Sequence, residues 1–358
     1  MINLIKKVIS YHIVILITFF NFSFLHAQEV PLIYIVHSYE QDHVCGKPQA
    51  DGVKETVQKM NTDVRIMEFF MDTKKTYTSA RAIKKRGQLA LDEIQQHQPQ
   101  IVVTLDDNAF RTVGLTLVDH PKISVVFSGL NGQPESYHKA IPFLESREKP
   151  LHNITGIYEK LHLKRAISVI ANTLPHDKNS KVIGITDYSP TGNAITHQFK
   201  LESQTGLALN WEVKRVKTFD DYKKLIKEIN KDDNIIAIYP AALTLPTNDG
   251  KRVTAPDIFR WTLEHNKKPE VPLNYFFGKL GLFGGASVDF TAMGKQVGEK
   301  VVQILNGQKA GEIAIEESED YAIVFNKARA DKLNITIPED VLFASDEIYQ
   351  HIPLLEKQ

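Results

Sequence analysis

Short runs of consecutive apolar residues alternate along the chain with stretches whose apolar residues recur at helical spacing. "LIYIVHS" (Leu32–Ser38) precedes a helical stretch at Ala50–Met60, and "IVVTL" precedes another helical stretch that begins at Asn108. Apolar runs of this length are typical of strands that are buried on both faces. The alternation therefore predicts an α/β fold in which helices cover parallel sheets.

The same alternation restarts after a segment rich in Pro and polar residues, 131–153. A helix is predicted at Leu163–Thr173, followed by the strand-like runs "KVIGITD", "WEVKRV", "IIAIYP" and "VPLNYFF". A long helix, "TAMGKQVGEKVVQILNG", comes later, and Gly294 and Gly298 lie one turn apart on it. We interpret these glycines as a site of close packing on a sheet. The repeat predicts two similar, doubly wound Rossmann-like lobes.

The first 27 residues have the composition of a secretory signal peptide. A basic start, "MINLIKK", precedes the apolar run "VISYHIVILITFFNFSFL", and "LHA" ends in a small residue before Gln28. This order predicts cleavage after Ala27, and an uncleaved N-terminal anchor is the alternative. Either way the protein is expected outside the cytoplasmic membrane, in the periplasm or at the extracytoplasmic surface.

Composition and motifs exclude several classes of function. The chain has 43 basic and 43 acidic residues and no Lys/Arg-rich block, so nucleic acid is not an expected partner. Its single cysteine, Cys45, permits no internal disulfide, and its role stays open. The histidines lack metal-ligand spacing, and no phosphate-binding or nucleophile motif is present. We therefore expect no cofactor, no metal and no enzymatic activity.

Polar, small or aromatic residues follow several of the predicted strands. In parallel sheets, ligands bind beyond the carboxyl ends of the strands, where helix N-termini point amide donors outward. The candidate ligand-binding residues are Ser38, Tyr39, Asp106, Asp107, Asn108, Ser128, Gly129, Asp187, Tyr188, Ser189 and Ala241.

Some of these residues also have a purely structural interpretation. Asp106–Asn108 suits a helix cap as well as a ligand contact. Side chains of adjacent aspartates on an extended segment point apart, so a shared-proton catalytic pair is not expected and at most one faces the cleft. Ser128–Gly129 and Asp187–Ser189 also suit ordinary turns.

The C-terminal part of the sequence resembles a known family. "GLFGGASVDFTAMGKQVGEKVVQILNGQKAGEIAIE" and "YAIVFNKARADKLNITIPEDVLFASDEIY" resemble the ending of uncharacterised ABC-transporter substrate-binding proteins. The loops "HSY" and "DDNAF" are similar to loops in that family and in extracytoplasmic sensor domains of bacterial signalling proteins.

The resemblance implies a type I periplasmic-binding-protein fold, in which three crossovers join two lobes. Each lobe is then predicted to contain two separate parts of the chain. The N-terminal lobe is 28–152 with 275–318, the C-terminal lobe is 153–274 with 319–345, and 346–358 is a C-terminal tail. We expect hinges near Asn153, Tyr275 and Ser318, and closure on a small polar or zwitterionic ligand such as an amino acid. The implied partner is the membrane permease of an ABC importer. The alternative is a periplasmic sensor module that signals to a histidine kinase of a two-component system. A monomer is expected in both cases.

Overall fold

The computed structural model describes residues 30–60, 63–204 and 206–356. The predicted signal peptide and its cleavage site lie outside these residues. Within them, no helix combines the length and the apolar character that crossing a bilayer requires.

The first sheet has six parallel strands and forms the first half of the fold. In spatial order the strands are β12 (Glu316–Glu317), β5 (Ile154–Tyr158), β4 (Ser124–Leu130), β3 (Ile101–Leu105), β1 (Leu32–His37) and β2 (Arg65–Phe70). Alternate residues of β1 enter different cores, Ile33 and Ile35 on one face and Tyr34 and Val36 on the other. The buried apolar runs of the sequence thus become strands covered on both faces, as predicted.

Helices cover this sheet on both sides. They are α1 (Gly46–Lys59), α2 (Ala80–His97), the short α3 (Asp106–Ala109) and α4 (Pro134–His138), and α10 (Phe290–Leu305). The Ser79 hydroxyl oxygen accepts a hydrogen bond from the Ala82 backbone N–H at 3.2 Å and caps α2. Gln98 ends that helix in the left-handed conformation, directly before Pro99, which cannot continue a helix.

A second set of strands forms the other half. They are β6 (Lys181–Asp187), β7 (Asn210–Val216), β8 (Ile235–Pro240), β11 (Gly284–Val288), β13 (Tyr321–Asn326) and β14 (Glu347–Tyr349), with a separate hairpin of β9 (Thr244–Pro246) and β10 (Arg252–Thr254). The helices are α5 (Leu163–Thr173), α6 (Pro190–Ser203), α7 (Phe219–Ile229), α8 (Ala255–His265), α9 (Tyr275–Leu280), α11 (Lys327–Lys332) and α12 (Glu339–Phe343).

Segment 269–274 joins these strands into one continuous array. The Ile238 backbone N–H donates to the Pro269 carbonyl at 2.9 Å, and the Gly284 N–H donates to the Glu270 carbonyl at 3.1 Å. The order β7-β6-β8-(269–274)-β11 thereby repeats the order β2-β1-β3-β4-β5 of the first sheet. The prediction of two similar, doubly wound α/β lobes is confirmed.

The strand prediction for "VPLNYFF" is only half right. Residues 271–274 do bridge neighbouring strands, but a helix, α9, begins at Tyr275. The Asn274 side-chain oxygen accepts from the Phe277 N–H at 3.2 Å. This cap satisfies a helix-start donor and turns the chain away from the sheet.

Strand pairing differs from the predicted lobe boundaries at three places. β5 pairs with β4 in the first sheet, so the chain leaves that sheet at 159–162 and not at 153. β11 pairs with β13, so 275–288 belongs with the second set of strands. β14 also pairs with β13, so 346–358 is not a free tail. The third crossover lies between β12 and β13, at 318–320.

The close packing predicted for Gly294 and Gly298 is against a helix and not a sheet. A Cβ on Gly294 would lie 2.1 Å from the Gln49 carbonyl oxygen, and one on Gly298 would lie 2.6 Å from Thr56. Both contacts are with α1, so the two glycines set how closely α10 approaches α1.

Candidate functional site

The carboxyl ends of β1 and β3 meet where the strand order of the first sheet reverses. Ligands of doubly wound sheets bind at such a switch point. The Ser38 hydroxyl, just beyond β1, donates to the Leu105 carbonyl at 2.7 Å and accepts from the Ala109 N–H at 2.8 Å. Ser38 thus joins β1 to the helix that follows β3.

Asp107 is bound within its own lobe. Its carboxylate accepts from the Asn131 side-chain amide at 3.1 Å, from the Gly132 N–H at 3.2 Å and from the Tyr137 hydroxyl. Burial and then the Asp107 charge raise the pKa of Tyr137. These bonds fix the loop after β4, which indicates a positioning role for Asp107.

Asp106 has a different environment from its neighbour. Its backbone φ is 66°, in the left-handed region, and the residue is 2% exposed. Its Oδ2 atom has no hydrogen-bond partner among the described residues. Burial raises the pKa of this carboxyl to about 8; the Lys74 charge opposes the rise and the Asp107 charge adds to it. A strained residue with an unpaired buried oxygen is a feature of functional sites.

Glu159 is a second buried carboxyl that our sequence prediction missed. It directly follows β5 and is 3% exposed. Burial raises its pKa well above the usual range, and the charges of Asp106 and Asp107 add to the rise. The strand-end rule that selected Asp106 would have found Glu159 after "ITGIY".

Tyr39 supplies an aromatic surface beside these carboxyls. The residue is 6% exposed, and its ring centroid lies 4.2 Å from that of His43. The Lys74 ammonium nitrogen lies 3.9 Å from the Tyr39 ring centroid. Burial, followed by the charges of Asp106 and Asp107, raises the pKa of Tyr39. In the described part of the chain, Lys74 forms this cation–π contact and no ion pair, and no sequence signal singled it out.

Gln49 of α1 connects the predicted Ser128–Gly129 turn to Asp106. The Ser128 hydroxyl donates to the Gln49 side-chain carbonyl at 2.5 Å, and the Gln49 amide donates to the Cys45 carbonyl at 3.1 Å. Gly129 has φ 67°, and a Cβ there would lie 2.7 Å from the Gln49 Oε1 atom. Gln49 also hydrogen bonds with the Asp106 side chain.

Two further residues near this site make contacts within the lobe. The Asn108 amide donates to the Thr73 hydroxyl at 2.9 Å, and its carbonyl accepts from Arg111 at 2.5 Å. Burial raises the pKa of the Cys45 thiol, and a thiol that stays protonated is a poor nucleophile.

The predicted residues of the second lobe form a local turn. Asp187 accepts from the Ser189 N–H at 2.7 Å, and the Ser189 hydroxyl accepts from the Gly192 N–H at 3.0 Å and caps α6. Tyr188 is 52% exposed, with Arg215 4.0 Å from its ring centroid. Ala241 is buried, and its N–H donates to the Ile185 carbonyl at 2.8 Å. Within the described residues, no hydrogen bond, ion pair or ring contact joins Asp106 to Asp187, Tyr188, Ser189 or Ala241.

Other residues bring the second lobe to the first. The Gln198 amide of α6 donates to the Asn131 carbonyl at 2.9 Å. The Glu202 carboxylate of the same helix accepts from the N–H of Leu161, in the crossover at 159–162, at 3.0 Å and from the N–H of Leu163, at the start of α5, at 2.6 Å. The buried Tyr239 hydroxyl has no hydrogen-bond partner among the described residues. Burial and then the charges of Glu202 and Glu159 raise its pKa.

A cavity lies between the first lobe and helix α6 of the second lobe. It is lined by Gln133, Arg147, Tyr158, Glu159, Lys160, Gln198, Leu201, Glu202 and Glu317. Within residues 30–60, 63–204 and 206–356, no group of three or more His, Cys, Asp and Glu side chains is arranged to hold a metal ion.

Comparison with known proteins agrees with this architecture. A family model described as ABC transporter substrate binding protein matches residues 49–349. The chain belongs to this family, whose members bind a small molecule outside the cytoplasm and deliver it to a transporter permease. A comparison with curated proteins gives no match.

Solved structures show the fold independently. A Streptococcus pneumoniae ABC domain in complex with L-Trp has a TM-score of 0.66 at 17% identity, covering 89% of this chain and 99% of that one. A ligand-free, open substrate-binding protein with adhesive properties from Clostridium difficile has a TM-score of 0.67 at 13% identity, with coverages of 90% and 100%. A conserved domain protein from Vibrio cholerae has a TM-score of 0.64 at 16% identity, with coverages of 89% and 100%. All three share the two-lobed fold of type I periplasmic binding proteins.

Proposed function

We propose that this protein is the extracytoplasmic solute-binding component of an ABC importer and that its lobes close on a small polar or zwitterionic solute. The observation that carries the proposal is the environment of Asp106. A buried carboxyl with an unpaired oxygen lies beside the Tyr39 ring, at the switch point of the first sheet. A buried polar atom without a partner is costly unless another group binds it.

Burial of this site requires that the lobes separate for a solute to enter. The crossovers at 159–162, near 289 and at 318–320 are the connections between the two sets of strands. Rotation at a few residues of this kind is the usual way in which two-lobed binding proteins open. The Clostridium difficile relative is described as open and ligand-free, which supports an opening motion here.

The proposed class of solute is supported by the side chains at the site and by the ligand of one solved structure. Carboxyl groups and an aromatic ring recognise an ammonium group and an apolar side chain together. The Streptococcus pneumoniae relative is described in complex with L-Trp. Amino acids are therefore the first solutes to test, followed by nucleosides and sugars.

Binding without catalysis fits the same geometry. Asp107 is occupied by three donors, and the Asp106 Oδ2 atom has no hydrogen-bond partner in the part of the chain that the structure describes. Export by the predicted signal peptide would place the protein beside a permease. Co-purification with a permease supports the importer role, whereas co-purification with a histidine kinase supports the sensor alternative.

Thermal unfolding with added solutes tests the proposal. A solute that binds the folded state raises the melting temperature in proportion to the logarithm of its concentration. We expect a saturable calorimetric titration with one solute per chain, lost in Asp106→Asn and kept in Asp331→Asn, which alters an exposed helix pair. A folded protein whose melting temperature responds to no amino acid, nucleoside or sugar contradicts solute capture.

A further inference from the structure

The centre of the site contains more acidic than basic groups. Asp106, Asp107 and Glu159 lie near Tyr39, and all three charges raise its pKa after the effect of burial. Asp107 is already bound by three donors. Asp106 and Glu159 therefore remain as two buried carboxyl groups, and Lys74 is the cation whose charge acts on both.

The Lys74 ammonium group lies where a solute cation would be expected. Its nitrogen is 3.9 Å from the Tyr39 ring centroid, within the range of a cation–π contact. Among the described residues, no carboxylate forms an ion pair with this ammonium group. The lysine side chain thus supplies charge to the site without filling the hydrogen-bonding positions of its carboxyl groups.

We propose that the solute is recognised through a cationic amine, which lies over the Tyr39 ring between Asp106 and Glu159 and displaces the Lys74 ammonium group from that place. This inference rests on the proposed function and names the chemical class of the solute. It assigns Lys74 the role of a resident cation that the solute replaces.

Two buried polar atoms without hydrogen-bond partners also indicate that a solute binds here, and this observation does not depend on the number of acidic and basic groups. The Oδ2 atom of Asp106 has no partner although the residue is 2% exposed, and the Tyr239 hydroxyl has none although that residue is fully buried. An ammonium group offers three N–H donors. Such a group satisfies the Asp106 oxygen directly, whereas a carboxylate in its place would add repulsion.

The charge balance also ranks solutes that differ only in charge. Burial favours the protonated form of Asp106 and Glu159, and a bound ammonium group favours their ionisation. The carboxylate of a zwitterion opposes that ionisation, whereas an amide of the same amino acid brings the amine alone. Buried charges interact strongly because the surroundings screen them little. The amide is expected to bind more tightly than the parent zwitterion, and the N-acetyl derivative, which lacks the cation, is expected not to bind.

Calorimetric titration with matched derivatives tests this ranking. The probes are the common L-amino acids, their amides and their N-acetyl forms, each titrated into the whole protein. We expect the amide of the best-binding amino acid to exceed its parent in affinity by about tenfold, which corresponds to one charge interaction of ~1.4 kcal/mol. An N-acetyl form that binds as tightly as the amide overturns the inference.

Substitution of Lys74 tests its role. Lys74→Gln removes the competing cation, so the affinity for the amide should rise about tenfold. Lys75→Gln, at the exposed neighbouring position, is the matched control and should leave the affinity unchanged. Weaker amide binding in Lys74→Gln would show that this lysine contacts the solute instead of competing with it.

A measurement without solute keeps the inference testable if no probe binds. Lys74→Gln should lower stability more at pH 9 than at pH 6, because the pKa of Asp106 is about 8 and its charged form then loses the neighbouring cation. The charged and titratable groups on which Lys74 acts are His43, Cys45, Asp106 and Glu159. An unchanged pH dependence in Lys74→Gln overturns the inference.

The two proposals fail in different ways. Zwitterion binding without an amide preference overturns the cation inference and leaves the proposed function standing. No binding of any probe by a folded protein, with the expected pH effect of Lys74→Gln, contradicts the proposed solute capture and leaves the charge relationship intact.

Discussion

Gly294 of α10 lies directly against the backbone of Gln49 in α1. A Cβ on Gly294 would be 2.1 Å from the Gln49 carbonyl oxygen, and one on Gly52 would be 2.4 Å from the Thr291 carbonyl oxygen. Both obstacles are backbone atoms, which move only if a helix moves. The packing of α10 therefore sets the position of Gln49, and Gln49 in turn hydrogen bonds with Ser128 and Asp106.

Gly294→Ala is expected to weaken both the fold and the site. Forcing a methyl group into a close-packed interface lowers the free energy of unfolding by about 1–3 kcal/mol. The accompanying shift of α1 should also reduce solute affinity, since Gln49 moves with it. Denaturant unfolding and calorimetric titration measure the two effects.

Glu299→Ala is the control for this prediction, because Glu299 is exposed on the same helix. It should change neither quantity by more than a few tenths of a kcal/mol. Normal stability in Gly294→Ala would show that the helices separate without strain.

Asp106→Asn and Asp107→Asn should have opposite effects on stability. Asp107 accepts three hydrogen bonds, so its conversion to an amide breaks a satisfied network and lowers the free energy of unfolding by about 1–3 kcal/mol. Asp106 is buried with an unpaired oxygen, so Asp106→Asn removes a destabilised carboxylate and should raise stability above pH 8.

Solute affinity separates the two aspartates further. Binding should be lost in Asp106→Asn, whereas Asp107→Asn should keep measurable affinity. If Asp107→Asn lowers both the stability and the solute affinity more than Asp106→Asn does, the solute contact belongs to Asp107.

The stability of the protein should fall as the pH rises toward 8. The pKa of Asp106 is about 8 in the fold against an ordinary value of 3.8. Between these values the folded state keeps a proton that the unfolded state has lost. The free energy of unfolding therefore decreases with rising pH, by up to ~1.4 kcal/mol per pH unit for one such group. Urea unfolding at several pH values measures this slope.

Two histidines limit the pH range in which the effect of Asp106 on stability can be measured. Burial lowers the pKa of His43 to about 3 and that of His162 to about 4. Both resist protonation in the fold, so they make stability rise with pH up to about 6.5, against the effect of Asp106. Measurement from pH 7 to 8.5 avoids them, and Asp106→Asn should reduce the slope there, to which Glu159 adds with the same sign because burial also raises its pKa. An equal slope in wild type and Asp106→Asn would assign it to another group.

Sequence patterns predicted the framework better than the site. Apolar runs specify buried strands because both faces of a parallel sheet are covered, and Ser79 and Pro99 mark the ends of α2 by local chemistry. Asp106 and Tyr39 were selected as candidates because they follow strands. These signals are local, and local chemistry is readable from the order of residues.

The missed residues depend on contacts between distant parts of the chain. Lys74 lies on a loop without a motif and reaches the site only through the Tyr39 ring. Gln49 is a helix residue that reaches Ser128 across 79 positions. The predicted boundary at 275 differs from the strand pairing, because β11 pairs with β13, a strand more than 30 residues further along the chain. Only the assembled fold makes these relationships visible.

The buried ion pair of Arg329 and Glu270 should be essential to the second half of the fold. The Arg329 guanidinium binds both carboxylate oxygens, one of them from Nε at 3.0 Å, and also donates to the Leu263 and Asn266 carbonyls at 3.0 and 3.1 Å. Arg329→Met leaves the Glu270 charge buried without its partner, which lowers the free energy of unfolding by about 3–5 kcal/mol. Asp331→Asn, which removes the exposed pair with Lys327, should lower it by less than ~0.5 kcal/mol. Calorimetric unfolding of the two variants measures these free energies. Equal decreases in the free energy of unfolding would mean that the buried pair contributes no more than a surface ion pair.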